Sequence, residues 1–201
     1  MSISFDEETF VAAARAGDFR QVLEPQAELI EAIRNNVSLH EGEPREALGQ
    51  LGEITSRLLD VERVGLWVLN EKQTRLSCLD LFIASEARHC DGAVLTRMEA
   101  PNYFELLEVG GVIGADDSSD DPRTAELARN YLPAFGVGAL LDCPILLERR
   151  PCGVLRAEHV GGPRRWEGWE RLLGSSLAEC ASVAVEVARG TGKGRWRKVA
   201  T

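Results

Sequence analysis

The 201-residue sequence lacks the long apolar segments and the excess of basic residues that mark several large classes of protein. No apolar run approaches the ~20 residues that a membrane-spanning helix needs. The acidic start, Phe5-Asp6-Glu7-Glu8, has no basic-then-apolar signal pattern. The net charge of −9 argues against nucleic acid or an anionic membrane surface as the main partner. We therefore expect no nucleic acid and no membrane among the partners of this protein.

Paired cysteines and clustered histidines are also missing. The five cysteines include no CxxC pair, which suits a reducing cytoplasm better than a disulfide framework. The three histidines, His40, His89 and His159, are too far apart to indicate a metal site or a catalytic base. A Walker loop, a GxGxxG segment and a Ser-His-Asp signature are absent. We expect a cytoplasmic protein that is not an enzyme, and the sequence names no cofactor.

The apolar pattern divides the chain into a helical opening, a mixed body and a closing helix. Residues 6–60 carry apolar side chains every three or four positions, as helices do. Gly17-Asp18 and Glu41-Gly42-Glu43-Pro44 are breaks, and Pro25 should bend or restart a helix. We expect an N-terminal helical extension over residues 1–43, a domain over 44–189 and a disordered basic tail over 190–201.

Beyond residue 60 the apolar residues recur every second position, which indicates strands. The stretch 61–69 is apolar at both alternations, so both of its faces should be covered. In the next strand Cys78, Asp80 and Phe82 should share one face. The predicted elements are strands over 61–69, 75–82 and 112–116, an irregular crossover over 84–111 with one helical turn near Tyr103, a capped helix from Asp121 to Tyr131, a hairpin of 140–147 and 152–159, and a helix over 168–188.

Several short motifs in this order resemble those of GAF domains. They are Arg63-Val64-x-Leu66-Trp67-Val68-Leu69, Asp116-Asp117 with Asp121-Pro122-Arg123-Thr124, Tyr131-Leu132, Leu141-Asp142-Cys143-Pro144-Ile145, Gly153-Val154-Leu155-x-x-Glu158-His159 and Arg165-Trp166. The resemblance covers roughly residues 45–189 and is closest to GAF modules that precede bacterial sensor histidine kinases and diguanylate cyclases. It implies an α+β fold with a central antiparallel sheet of about five or six strands. It also implies first and last helices on one face, a ligand cavity under the crossover, and a homodimer formed through those helices.

The chain departs from that family pattern at three places. Such modules often have cysteine and histidine where Arg156 and Ala157 stand, and a small residue where Cys143 stands. Glu167 takes the position in which a serine or threonine usually caps the last helix, ahead of Glu170. The first two departures fall near the cavity that the resemblance implies, so a family ligand does not carry over to this chain.

Arg156 and Glu158 are the leading candidates for ligand contact. They lie two apart on a predicted strand, hence on one face. A hairpin turning about Arg149-Arg150 places Arg156 opposite Cys143. A guanidinium there can bind a carboxylate or phosphate in a bidentate manner. Alternatively, Arg156 and Glu158 pair with each other or with Asp80 and close the polar end of the sheet.

The other candidates are weaker. Asp80 lies in an apolar strand and needs a partner, which could be Arg156, a backbone amide or a ligand. Asp116 begins a run of four carboxylates in six residues; we interpret it as a solvated turn because it lacks the glycine and the terminal glutamate of an EF-hand. The predicted ligand-binding residues are Asp80, Tyr103, Asp116, Cys143, Arg156 and Glu158.

The leading functional hypothesis is a stand-alone, non-catalytic sensory module. An unknown small ligand would bind between the sheet and the 84–131 crossover, and a helical dimer interface would pass the signal to a protein effector. The first alternative is a scaffold whose cavity is filled by its own side chains and which acts through protein contacts. The second is a redox enzyme similar to free methionine sulfoxide reductases, which use GAF folds with reactive cysteines, although the closely spaced cysteines expected of them are missing here.

Overall fold

Six α-helices and seven β-strands form the part of the chain that this computed structural model describes, which comprises residues 3–17, 19–39 and 44–190. The break predicted over residues 41–44 and the basic tail predicted over 190–201 lie outside those ranges, except for Pro44 and for Gly190, which is the last residue of a helix. The helices are α1 (Glu7–Ala16), α2 (Phe19–Leu39), α3 (Arg45–Leu59), α4 (Pro101–Val109), α5 (Tyr131–Ala134) and α6 (Gly168–Gly190). The strands are β1 (Arg63–Leu69), β2 (Arg75–Ile83), β3 (Arg88–Cys90), β4 (Val94–Thr96), β5 (Ile113–Ala115), β6 (Val137–Leu147) and β7 (Arg150–Val160).

The two N-terminal helices begin and end where local chemistry predicts. Asp6 caps α1 by accepting a hydrogen bond from the Thr9 amide at 3.0 Å, and Gly17 ends it with a left-handed φ of 68°. α2 does not restart at Pro25 but continues through it. No helix in the described ranges is long and apolar enough to cross a bilayer.

The strands form one antiparallel sheet in the order β3-β2-β1-β7-β6-β5, and β4 also pairs with β2. The described part of the chain has seven strands where the resemblance implied about five or six, because the crossover contributes β3 and β4 as short partners of β2. That segment was predicted to be irregular, since three-residue strands are too short to show a period of two. The α+β class and the antiparallel sheet are confirmed.

The sheet separates two apolar clusters. On one face α3 and α6 pack against it, with α1 and α2 outside them, and on the other face lie α4, α5 and the loops of the crossover. All seven residues of β1 are buried, as predicted for a strand covered on both sides. The crossover face holds the polar groups that form the candidate site.

The predicted helix from Asp121 to Tyr131 is wrong. Residues 122–126 form turns, followed by a 3₁₀ turn at Leu127–Arg129 and the four-residue α5. The Asp121 carboxylate accepts from the Arg123 amide at 2.8 Å and from the Arg123 guanidinium, so it closes a local turn. Aspartate is favoured both in such turns and at helix caps, and the sequence pattern does not separate the two.

Candidate functional site

The register of the β6–β7 hairpin decides which side chains meet at the site. Glu148 and Arg149 form the turn with φ of 49° and 65°, and a bulge at Ile145 and Leu146, which pair with Gly153 and Pro151, leaves Cys152 as an extra residue in β7. Arg156 therefore pairs with Asp142, and the predicted pairing with Cys143 is wrong by one residue. Because successive strand residues point to opposite faces, this slip exchanges the partner of Arg156 for the residue on the other face.

Arg156 lies at the centre of a buried polar cluster. Its Nε and Nη2 donate to the two carboxylate oxygens of Asp142 at 2.8 and 2.9 Å, and both side chains are 1% exposed. Nη2 also donates to the Tyr103 hydroxyl, which in turn donates to Asp142. Burial lowers the pKa of Arg156, but Asp142 and Tyr103 outweigh it and raise the pKa, so the guanidinium stays charged. This is a complete bidentate ion pair with a third polar partner.

Three aromatic rings enclose the same guanidinium. The Arg156 Cζ lies 5.3 Å from the ring centroids of Trp67 and Tyr103 and 5.5 Å from that of Tyr131. Trp67 and Tyr131 meet edge to face at 5.9 Å, and Tyr131 meets Phe135 at 5.2 Å. The rings exclude water from the ion pair and supply cation–π attraction.

Glu158 forms a second ion pair beside the first. It accepts from the Arg63 Nε at 2.7 Å and from the Tyr131 hydroxyl at 2.6 Å, and it is fully buried. Arg63 lies opposite Glu158 on β1 and stacks on Phe135 at 4.3 Å. Arg156 and Glu158 thus share a face, as predicted, but each has its own oppositely charged partner. Neither the predicted pairing between them nor a pairing of either with Asp80 is present.

A cavity of about 400 Å³ opens beside this cluster. Its floor is the sheet face at Trp67 and Arg156, and Tyr131 and Phe135 form an aromatic side. The crossover closes it with Ala93, Val94, Leu95, Glu99, Glu126, Leu127, Arg129 and Asn130. Glu126 and Glu99 are held locally, since Glu126 accepts from the amides of Asn102 and Tyr103 and Glu99 from that of Thr96.

Two buried donors in this cluster have no acceptor within the described ranges. They are the Trp67 indole Nε1 and the Arg63 Nη2. The indole lies over Gly65, where an added Cβ would be 2.4 Å from Nε1. Only glycine therefore lets Trp67 lie flat beside Arg156.

Asp80 lies on the opposite face of the sheet, away from the cavity. A bulge between Leu66 and Trp67 sets Asp80 opposite Leu66 and Cys78 opposite Trp67, so the prediction that Cys78 and Asp80 share a face is wrong. The Asp80 carboxylate accepts from the His89 Nδ1 at 2.9 Å, while the His89 Nε2 lies 3.2 Å from Glu53 on α3. Burial raises the pKa of Asp80, and His89 opposes that shift.

The remaining predicted site residues are dispersed. Tyr103 belongs to the Arg156 cluster. Asp116, directly after β5, accepts from the Trp166 amide at 3.0 Å near the end of the loop that leads into α6. Cys143 faces α6, where a Cβ on Gly174 would lie 2.8 Å from its sulfur. No group of three His, Cys, Asp or Glu side chains in the described part of the chain is placed to hold a metal ion.

Several members of the site were not among the predicted residues. They are Arg63, Trp67, Asp142, Tyr131 and Phe135. Asp142 was predictable from the sequence, because a carboxylate between Leu141 and Cys143 in an apolar strand needs a buried partner such as a cation. The aromatic residues of the site were not predictable, since their spacing along the chain does not show that they converge on one guanidinium.

Comparisons with known proteins agree with this architecture. The protein-family model described as the GAF domain matches residues 43–185. The blue-light absorbing form of the Thermosynechococcus elongatus PixJ GAF domain is 20% identical with a TM-score of 0.59, over 76% of this chain and 88% of that chain. The GAF domain of an Acinetobacter phosphoenolpyruvate-protein phosphotransferase is 16% identical with a TM-score of 0.61, over 85% of this chain and 97% of that chain. Free methionine-R-sulfoxide reductase from Neisseria meningitidis, solved with its substrate, is 14% identical with a TM-score of 0.57, over 83% of this chain and 91% of that chain.

At these identities the likeness to solved structures shows the fold alone. A comparison with curated protein sequences found no match. The family model nevertheless spans most of the chain, and the sheet with its first and last domain helices on one face has the arrangement that the motifs implied. The chain belongs to the GAF domain family.

Proposed function

We propose that this GAF domain is a non-catalytic sensory module that binds a small, flat, uncharged ligand in the cavity beside Trp67. The observation that carries the proposal is the cavity itself, about 400 Å³ between a rigid sheet face and a crossover made of short elements. Ligand sites of this size are concave and mostly apolar, with a few polar groups that set orientation.

The shape of the ligand follows from the walls. Trp67, Tyr131 and Phe135 present aromatic surfaces, and the rings of Tyr131 and Phe135 are already packed edge to face at 5.2 Å. A planar molecule can stack on such rings, whereas a branched one leaves part of their surface uncovered.

The charge of the ligand follows from the ion pairs. Asp142 neutralises Arg156 and Glu158 neutralises Arg63, so each buried guanidinium in the cluster beside the cavity already contacts a carboxylate. An anionic ligand would compete with Asp142 for a guanidinium that is already held by two hydrogen bonds. We therefore propose that Arg156 supports Trp67 and Tyr131 and does not bind a phosphate or carboxylate.

The cysteines favour a non-catalytic role over the reductase alternative. Burial raises the pKa of the Cys78 and Cys143 thiols, so both stay protonated, and the thiolate is the reactive form. Cys78 faces the crossover and Cys143 faces α6, so these two thiols lie on opposite faces of the sheet.

Signal output is proposed to pass through the sheet. β1 and β7 place Trp67 and Arg156 toward the cavity and Leu66 and Leu155 toward the helices. A ligand that favours one position of the crossover must also favour one packing of these strands if the helices are to respond. In this proposal a partner protein binds the helices and receives the signal.

The test fills the cavity without touching the ion pairs. Ala93 is exposed and lines the cavity, so Ala93→Phe reduces its volume, and Ala12→Phe on α1 is the matched control on the other side of the molecule. Native mass spectrometry would detect a molecule that is retained on purification, and thermal shift would measure binding of indole and benzamide against benzoate. We expect the neutral planar probes to raise the melting temperature of the wild type and of Ala12→Phe, and not of Ala93→Phe.

Two results would contradict the proposal. Stronger stabilisation by benzoate than by benzamide would mean that a cation in the cavity is available to a ligand. The absence of both a retained molecule and any probe-dependent shift would favour the scaffold alternative, in which the domain acts by protein contacts alone. Arg156→Ala does not separate these cases, because it leaves Asp142 buried without its partner whether or not a ligand binds.

A further inference from the structure

The crossover contains an edge segment, residues 88–96, that borders both faces of the sheet. Its two short strands, β3 and β4, pair with β2 at the sheet edge. Near its start His89 lies on the helix face, against Asp80 of β2 and Glu53 of α3. Near its end residues 93–95 line the cavity on the opposite face. The edge segment therefore contacts α3 and also forms part of the cavity wall.

His89 bridges two carboxylates. Its Nδ1 lies 2.9 Å from the Asp80 carboxylate, and its Nε2 lies 3.2 Å from that of Glu53. A neutral imidazole donates from one nitrogen, whereas an imidazolium donates from both. Because an ionised carboxylate only accepts, both contacts are hydrogen bonds only when both ring nitrogens carry a proton. The bridge from β2 through the edge segment to α3 is complete in the charged form of His89 alone.

The two carboxylates differ in how much water reaches them. The Asp80 side chain is 5% exposed and that of Glu53 is 42% exposed. Loss of a donor costs more for a buried carboxylate, because water can replace the donor only at an exposed one. Neutral His89 therefore keeps its proton on Nδ1 for Asp80, and the lone pair of Nε2 then faces Glu53. Deprotonation breaks the contact with α3 and keeps the contact within the sheet.

Solvent and a few further charges surround the His89 ring. An open pocket of about 550 Å³ borders the ring, whose side chain is 34% exposed, so protons exchange with the solvent. Arg45 of α3 pairs with Asp91, which follows β3, so these two charges compensate each other. Glu46 of α3 lines the same pocket and adds a negative charge, which favours the imidazolium.

We propose that His89 is a proton-controlled latch between the edge segment and α3. The protonated ring holds the edge segment against Glu53. The neutral ring releases Glu53, and the edge segment then moves more freely together with the cavity wall at residues 93–95. The protonation of His89 and the position of that wall are linked, and each biases the other. The latch itself needs no ligand, and only its effect on ligand affinity rests on the proposed function.

The pH range of the latch follows from the direction of the pKa shift. Burial lowers the pKa of His89, but its hydrogen bonds to Asp80 and Glu53 outweigh burial and raise the pKa above 6.5. A group with a raised folded-state pKa stabilises fully below its unfolded-state value, and this contribution is lost as the pH rises through the folded-state value. The latch is therefore closed at pH 5.5 and open at pH 9.

The test follows hydrogen exchange of the full chain at pH 5.5 and pH 9. Protection factors are compared, because intrinsic exchange itself depends on pH. Glu53→Ala removes the carboxylate that the latch contacts. Glu46→Ala is the matched control, since it removes the same charge from the same pocket two helical turns away. Glu53→Gln is a second variant, because an amide can donate to or accept from the ring nitrogen and so forms the contact at both pH values.

Each variant has its own expected pattern of protection. In the wild type and in Glu46→Ala, protection of β3 and β4 should fall about two- to fivefold from pH 5.5 to pH 9, since a partly exposed ion pair contributes modestly. In Glu53→Ala it should be low at both pH values, and in Glu53→Gln it should not change with pH. Protection of β5, at the opposite edge of the sheet, should be the same in all four proteins.

A proton titration by NMR reads the latch directly. The signal of His89, assigned by its loss in His89→Gln, should titrate at a lower pH in Glu53→Ala than in the wild type. Glu46→Ala should cause a smaller change.

Three outcomes would overturn the proposal. Equal protection of β3 at both pH values in the wild type would mean that the proton does not control the contact. A pH effect confined to β3 would mean that the latch does not reach the cavity wall. A Glu53→Ala protein that keeps the wild-type pH dependence would mean that Glu53 is not the group released. None of these readouts uses a ligand, so their failure would leave the proposed cavity site intact, and failure of the ligand probes would leave the latch intact.

Discussion

Replacement of Arg156 by methionine tests the central claim that this residue belongs to a closed structural cluster. Arg156 and Asp142 are each 1% exposed and joined by two hydrogen bonds of 2.8 and 2.9 Å. Methionine keeps much of the side-chain volume but removes the charge. The Asp142 carboxylate would then be buried with the Tyr103 hydroxyl as its remaining side-chain partner.

The magnitude follows from the cost of an uncompensated buried charge. Removing one partner of a buried ion pair destabilises a protein by ~3–5 kcal/mol. Replacing both partners with apolar residues of similar volume is often close to neutral. We expect Arg156→Met to lower the free energy of unfolding by ~3–5 kcal/mol, and Asp142→Leu to have an effect of similar size, because it leaves the guanidinium buried.

The double variant carries most of the information. Arg156→Met with Asp142→Leu should lie within ~2 kcal/mol of the wild type, and the remaining loss comes from the Tyr103 hydroxyl, which has no partner left. Adding Tyr103→Phe should recover part of that loss. Urea unfolding followed by tryptophan fluorescence and far-ultraviolet circular dichroism, with linear extrapolation to zero urea, measures each value.

Additivity would refute this reasoning. If the losses of the two single variants simply sum in the double variant, Arg156 and Asp142 do not depend on each other. A loss below ~1 kcal/mol for Arg156→Met would mean that water or another residue compensates Asp142. Either result would reopen the hypothesis that Arg156 contacts a ligand.

Two further predictions concern the sheet. Burial lowers the pKa of His89, but its hydrogen bonds to Asp80 and Glu53 outweigh this and raise it, so its stabilising contribution is complete below pH ~6.5 and lost as the pH rises through the folded-state pKa. The difference in melting temperature between the wild type and His89→Gln should therefore be larger at pH 5.5 than at pH 9, and an equal difference would contradict this. In Gly153→Ala the added Cβ would lie 2.2 Å from the Trp67 carbonyl oxygen, so we expect a loss of ~1–3 kcal/mol in urea unfolding. The control Gly111→Ala, with nothing within 4 Å, should stay within ~0.5 kcal/mol of the wild type.

The parts of the fold that depend on local pattern were predictable. β1 is apolar at both alternations and is covered on both faces, and Gly17 ends α1 because glycine takes a left-handed φ without strain. The same-face placement of Arg156 and Glu158 follows from the period of a strand alone. These features need only neighbouring residues, so the sequence contains them.

The errors lie where one extra residue changes a register. The turn at Glu148 and Arg149 together with the extra residue Cys152 in β7 exchanges Cys143 for Asp142 as the partner of Arg156, and the bulge beside Trp67 moves Asp80 to the helix face. A bulge leaves no clear mark on an apolar alternation, because its extra residue is as apolar as its neighbours. The predicted site therefore included two residues from the wrong face.

The sequence by itself determined the family, the antiparallel sheet and the strand that carries Arg156 and Glu158, because short motifs and the period of two are local properties. Only the tertiary structure decided the partners of those residues. Asp142, Arg63 and Tyr131 reach them from other strands and from the crossover, and a buried charge is satisfied by whatever group the fold brings within hydrogen-bond distance. The tertiary structure also decided that α1 and α2 cover α3 and α6, since an apolar stripe indicates that a helix face is buried and does not indicate against what.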